Sequence, residues 1–358
     1  MPTPLPDLLA ELLRAYGPCG EEGAVRDVVR RELEPLADEV AVDAAGNLVA
    51  LVHGTDRSAP PVRVTAHLDE LSMVVKRVEP DGTLRVNSLG VMYPGNFGLG
   101  PVAVLGRRET LTGVLTLGSE HTTPESPRIW QTKPDGGDQA MDWTHVYVFT
   151  GRSADDLAAA GVHPGTRVCV HADRRELTTV GDFLGSWFLD DRAALTALVA
   201  AARLLRADGG RPPGDVYLVA TSSEEMGGIG ALHASRTLPG DLTLALDVGP
   251  AEAEYQVTVD GGPVVAYADD AVVYDRAVAD ALVDVGRELG LDPQTAVWQS
   301  FDSDASQAKA AGLTARAALL SLPTLSTHGY EVLHSGTVDR TARLLAAFLA
   351  RPVPPVSG

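Results

Sequence analysis

Seven side chains in this 358-residue chain are of types that could gather around a cation: His67, Asp69, Asp190, Glu224, Glu225, Asp247 and His328. Five of them follow or end apolar runs that read as strands, and the strands of an open α/β sheet deliver side chains to one crevice. Mixed imidazole and carboxylate donors suit zinc, cobalt or manganese better than calcium or magnesium, which favour all-oxygen shells. One carboxylate bridging two ions, with one histidine and one further carboxylate on each, would make a two-metal hydrolytic site with positions left for water. Taken singly, each residue has an ordinary explanation. A histidine after an apolar run is usually a loop or core residue, and Asp190-Asp191-Arg192 reads equally as acid placed against a helix dipole.

The chemistry concentrates in VYLVATSSEEMGGIGA, where the apolar run Val216 to Ala220 ends within a few residues in Glu224 and Glu225. Side chains alternate across a strand and its exit, so neighbouring carboxylates there face different ways and suit different tasks, one binding a metal and the other moving protons. Gly227, Gly228 and Gly230 leave room for a tight turn and a close approach.

The elements that must position these residues follow from periodicity. Leu5, Leu8, Leu9, Leu12 and Leu13 recur at helical spacing, and Val25, Val28, Val29 and Leu33 mark a second helix from about Glu21. VAVDAAGNLVALV and VRVTAHLDE read as consecutive strands around a polar loop. From Leu71 the texture changes to short alternating runs broken by glycine. A mainly β domain is therefore expected at 71–168, inserted between 1–70 and 169–358 of an α/β domain. Residues 119–142 form a long Pro/Gly/Asp/Glu-rich loop, either a functional or oligomer-contacting segment or a mobile one. SADDLAAAGVHPG predicts a Ser-capped helix. AALTALVAAARLL predicts a helix with one broad apolar face, and STHGYEVLHS a loop carrying His328.

Composition narrows the partners. Hydrophobic residues at 45% and charged residues at 22% describe an ordinary globular protein. The 48 acidic against 29 basic residues leave a formal charge of −19, which repels nucleic acid and anionic membranes. No run of about 18 apolar residues predicts a membrane span. Cys19 and Cys169 are far apart and form no CxxC pair, so no disulfide framework is expected and a cytoplasmic location is. The opening MPTPLPDLLAELLRAYG lacks the pattern of a signal peptide.

In order along the chain, AHLDE, FLDDR, SSEEMGGIGA, LALDVG and STHGYE resemble motifs of the dinuclear metalloaminopeptidases of the tetrahedral (TET) deblocking or glutamyl aminopeptidase group, peptidase family M42 of clan MH. GPCGEEGAVRDVV, DAAGNLVA and SDASQA extend the resemblance over nearly the whole length, and five ordered motifs are a specific signal. The resemblance implies an α/β fold with a mixed sheet flanked by helices, of the zinc-aminopeptidase/phosphorylase-like kind, with an inserted mainly β domain serving oligomerisation and substrate access. It implies two divalent metal ions per subunit, zinc first and cobalt or manganese as alternatives. Asp190 would bridge them, His67 and Asp247 would complete one, and Glu225 and His328 the other. Glu224 would be the general base, and Asp69 would fix the tautomer of the His67 ring. Peptides would be the substrates, and the chain would form a homo-oligomer, from a dimer up to a dodecamer.

His334, in HSG, is the rival to His328; Glu331 is then structural, and His121 is the one other histidine kept as a possible substrate-side contact. Leu325 stands where many members of the family carry arginine, the 119–142 loop departs from the family pattern, and YVFTGR replaces an acidic turn. Substrate recognition and assembly are the properties these departures touch. A related two-metal deacylase or carboxypeptidase is the alternative activity. A glycosidase would need its carboxyls about 5 to 9 Å apart across a sugar ring, which adjacent glutamates seldom supply. A scaffold without activity leaves the assembled ligand set without a purpose.

Overall fold

The computed structural model describes residues 2–133, 137 and 139–356. Cα proximity divides the chain into two compact units: Met1–Glu70 with Leu177–Thr327 and Glu331–Gly358, and Leu71–Glu176 with His328–Tyr330.

The first unit opens with helices α1 (Leu5–Arg14) and α2 (Gly23–Leu33), followed by strands β1 (Glu39–Val42), β2 (Leu48–Val52) and β3 (Val62–His67). The leucine spacing of α1 buries Leu8, Leu9, Leu12 and Leu13 on one face. The second unit contributes β4 (Ser72–Val78), β5 (Leu84–Leu89), the one-turn α3 (Pro94–Phe97), β6 (Gly100–Leu105), β7 (Thr110–Thr116), the one-turn α4 (Pro127–Trp130), β8 (Tyr147–Phe149), α5 (Ala154–Ala160) and β9 (Arg167–Val170). Its strands close into a barrel in the order β4-β5-β8-β7-β6-β9. Alternation explains the closure: along β7 every second residue is buried, and Met73, Val75, Leu84, Val102, Val104, Leu115, Val148 and Val168 fill the interior. Ser153 caps α5 in a reciprocal capping box with Asp156. The 119–142 stretch contains α4, and its residues 134–136 and 138 lie outside the described residues.

The first unit resumes with β10 (Thr178–Val180), β11 (Phe183–Trp187), α6 (Leu189–Leu205), β12 (Val216–Thr221), α7 (Ile229–Thr237), β13 (Leu242–Pro250), β14 (Val264–Ala268), α8 (Arg276–Glu288), β15 (Gln294–Val297), α9 (Asp304–Ala310), β16 (Arg316–Thr324), β17 (Tyr330–His334) and α10 (Thr337–Leu349). Its main sheet has eight strands in the order β1-β2-β12-β3-β13-β16-β14-β15, and β10-β11-β17 form a smaller sheet. The centre, β12-β3-β13-β16, is parallel, while β1, β2 and β14 bring antiparallel pairings. Burial on both faces explains why β3 and β13 read as unbroken buried runs. Two sequence expectations change here. Helix α6 is buried around nearly its whole circumference rather than along one face, because its alanines let α1, α10 and β13 all approach it. STHGYEVLHS is not all loop, since its second half is strand β17.

A largely buried ion pair ties α8 to the sheet. The Asp275 carboxylate caps α8 by accepting from the Val278 N–H at 3.1 Å, and it receives Arg316 Nε at 2.6 Å and Nη2 at 3.1 Å. Burial works against its charge, yet the Arg316 bonds hold the carboxyl below its ordinary range. With both side chains only 12% exposed, Asp275→Ala is expected to cost about 2–3 kcal/mol at neutral pH. A depressed carboxyl gives stability that is present above the unfolded-state pKa and lost as pH falls through the folded-state value. Melting curves of the two proteins should therefore differ at pH 7 and converge as the pH falls through the depressed folded-state value, below the ordinary carboxylate range.

Candidate metal centre

The parallel register brings the predicted residues to one edge. His67 is the last residue of β3 and pairs with Thr221, the last of β12, which leads directly into the glutamate turn. On the other side Thr65 pairs with Ala245, so Asp247 stands level with His67. Asp190 and Asp191 have non-helical backbone at the head of α6, after Phe188 in the left-handed region. Arg192, fully buried, pairs with Glu70 at 2.6 Å and donates to the carbonyls of Leu12 and Leu68, holding the head of α6 to the segment that follows His67.

His67, Asp190, Asp191 and Asp247 are all buried, and each offers a ligand atom within 4.8 Å of the others. His67 Nε2 lies 2.9 Å from Asp190 Oδ1. Its Nδ1 lies 3.2 Å from the Asp69 carbonyl oxygen and 3.6 Å from Asp69 Oδ1, so the Nδ1–H tautomer, which leaves Nε2 as the donor atom, is the one these acceptors favour. A carboxylate oxygen of Glu225 also lies within 4.8 Å of one from Asp190. The Asp190 N–H donates to Glu331 Oε2 at 2.9 Å, giving buried Glu331 a positioning task. His328, in the second unit, has its backbone in the left-handed region and its Nδ1 2.7 Å from the carbonyl of Val91. His334 differs: its Nδ1 accepts from the Gly336 N–H at 3.0 Å and faces Arg340 Nη2 at 2.9 Å. His121 is exposed in the loop of the second unit.

The electrostatics call for a cation. Burial first, and then mutual repulsion, raise the carboxyls of Asp191, Asp247 and Glu224 well above their ordinary range. Burial opposes charge on His67, but Asp191 and Asp190 override it and hold the ring well above its usual value. Asp191 Oδ2 accepts the His67 N–H at 3.0 Å, while its buried Oδ1 has no hydrogen-bond partner among the described residues. A crowd of buried acids with an unpartnered oxygen is costly by itself and fits a divalent ion. Asp69 differs: although burial opposes its charge, donors led by His67 keep its carboxyl below the ordinary range. It accepts from the N–H groups of Glu224 at 2.8 Å and Glu225 at 3.1 Å and from the Cys19 thiol at 3.1 Å. Cys19 and Cys169 are both buried and share no disulfide.

Two acids at the site had no assigned task in the sequence. Asp191 reads as the second acid of a helix start, and only the DDR doublet hints at more. Asp304, in SDASQA, is buried at the head of α9, accepts from the Thr221 hydroxyl at 2.6 Å, and is pushed up to about 6 by burial. The glycine reading is sharpened at Gly230, where an added Cβ would lie 2.3 Å from Asn47 Oδ1 and 2.5 Å from the Ser222 backbone.

A histidine and clustered carboxylates at the carboxyl edge of a mixed α/β sheet define the class, a candidate divalent-metal hydrolase centre. The profile of the M42 glutamyl aminopeptidases matches residues 46–344, and the chain belongs to that family. A lysyl aminopeptidase of Pyrococcus furiosus is 30% identical over 254 residues, 68% of this chain and 66% of that protein. Among solved structures, an aminopeptidase from the archaeon Desulfurococcus kamchatkensis superposes with a TM-score of 0.86 at 23% identity, covering 97% of this chain and 94% of its own. A TET1 peptidase of Pyrococcus horikoshii, described as able to assemble into a tetrahedron or a large octahedral shell, gives 0.83 at 22% identity, with 97% and 99% covered. Among the described residues no helix is long and apolar enough to cross a membrane.

Proposed function

We propose that the protein is a metal-dependent aminopeptidase that removes N-terminal residues from peptides. The observation that carries this reading is the buried set His67, Asp190, Asp191 and Asp247, with ligand atoms within 4.8 Å of one another, in a chain of the M42 family. Asp190 would be shared by two divalent ions, with His67 and Asp247 on one and Glu225 and His328 on the other; zinc, cobalt and manganese all suit these donors. Bound there, such ions supply Lewis-acid polarisation of a peptide carbonyl and lower the pKa of water. Glu224 accepts the proton of the attacking water and passes it to the leaving amine. Asp69 keeps the His67 ring in its tautomer and holds the Glu224-Glu225 backbone in place.

Aminoacyl amides with free and with blocked N-termini separate the activities. Turnover of the free-amine series alone is expected, abolished by a chelator and restored by zinc, cobalt or manganese. Turnover confined to blocked amides would assign a deacylase or carboxypeptidase, and chelator-insensitive sugar hydrolysis a glycosidase. We further propose a homo-oligomer, with 71–168 serving assembly and substrate access, and a cytoplasmic location. The buried thiols of Cys19 and Cys169, which share no disulfide, support the latter.

A further inference from the structure

The turn that carries Glu224 is held from outside by its own main chain. Four consecutive N–H groups are taken by side chains of three other segments. Asn47 Oδ1 accepts from Ser222 at 2.9 Å, Glu22 Oε1 from Ser223 at 3.2 Å, and Asp69 from Glu224 and Glu225. Ser223 has φ +51°, a left-handed conformation that serine adopts only when its surroundings hold it there. At Ser223 itself the side chain that holds the backbone is Glu22. Only 3% exposed, it lies just ahead of α2, and its Oε1 also accepts from the Ser223 hydroxyl at 3.1 Å and the Gly20 N–H at 2.6 Å.

We infer that Glu22 is a positioning residue for the reaction: its carboxylate fixes Ser223 in the left-handed region and so sets the direction in which Glu224 leaves the turn. The inference rests on Glu224 being the general base. Glu22 lies in neither candidate ligand group of the site, so its effect is expected on the chemical step. Without its acceptor, Ser223 can return to an ordinary backbone conformation and swing the carboxylate that follows it. A displacement near 1 Å at a reacting group costs on the order of 100-fold in rate.

The test uses the full chain loaded with zinc. Glu22→Ala is expected to lower kcat about 10- to 100-fold while KM stays within about twofold and metal content is unchanged. Glu22→Gln, which keeps an acceptor oxygen at the same reach, is expected to recover most of the loss. Wild-type kcat in Glu22→Ala, beside an inactive Glu224→Gln, overturns the inference. So does a loss that parallels metal content, or one that Gln does not relieve, since both describe a merely structural role. Should Glu22→Ala fail to fold, Glu22→Asp reads the same quantity: its carboxylate is retained but drawn back from Ser223, and wild-type kcat there also overturns the inference. If Glu224→Gln itself stays active, the base assignment fails, and the two failures are distinguished.

Discussion

Glu224→Gln is expected to bind its cations as the parent does and to lose about 10²- to 10⁴-fold in kcat. The amide matches the carboxylate in size, and the Glu224 N–H stays on Asp69 Oδ1, so the turn and its neighbour Glu225 keep their places. What disappears is a group able to take a proton. Metal content per chain, measured beside kcat at saturating substrate, checks both halves of the expectation. Unchanged turnover would remove Glu224 from the base role.

Asp247→Asn should show the opposite division. Asp247 is buried among the carboxylates of Asp190 and Asp191, so its charge costs stability when no cation is present and repays it when one is bound. In chelated protein the neutral variant is expected to melt at or above the parent. With zinc at 100 times the parent's Kd, the parent gains about 2.7 kcal/mol; the variant is expected to keep no more than about half of that gain, because losing a ligand carboxylate costs at least the roughly 10-fold in affinity that loss of a ligand's own partner does. Melts with and without zinc report the crossing. A variant that gains as much as the parent would take Asp247 out of the ligand set.

What the sequence made legible and what it hid separate along physical lines. Helix α1 was readable because its leucines repeat with the helical period, β12 and β13 because continuous burial leaves apolar runs, and β3 because Val62, Val64 and Thr65 are β-branched. His67, Glu224 and Asp247 were readable as polar residues where such runs stop. Strand β17 was not, since buried Glu331 sits where alternation calls for an apolar residue. Asp191 was masked by the acid-rich start common to helices, and its bond to the His67 N–H joins residues far apart in the chain. Glu22 was masked in the same way: a glutamate before a helix looks like dipole complementation, while its real partner is Ser223.

The strand order also has a consequence for how the chain is made. Strands β2 and β3 are neighbours in sequence but not in the sheet, because β12 lies between them and pairs with both. A nascent or truncated chain that stops before Val216 thus leaves β2 without one neighbour and β3 without either, since β13 is missing as well, and such open edges recruit other chains into aggregates. Such long-range pairing is slow to nucleate, so release of the polypeptide before β12 emerges is the vulnerable interval in its synthesis. The strand that closes the gap between β2 and β3 also leads into Glu224, so one element joins this part of the sheet and carries the proposed base to its edge.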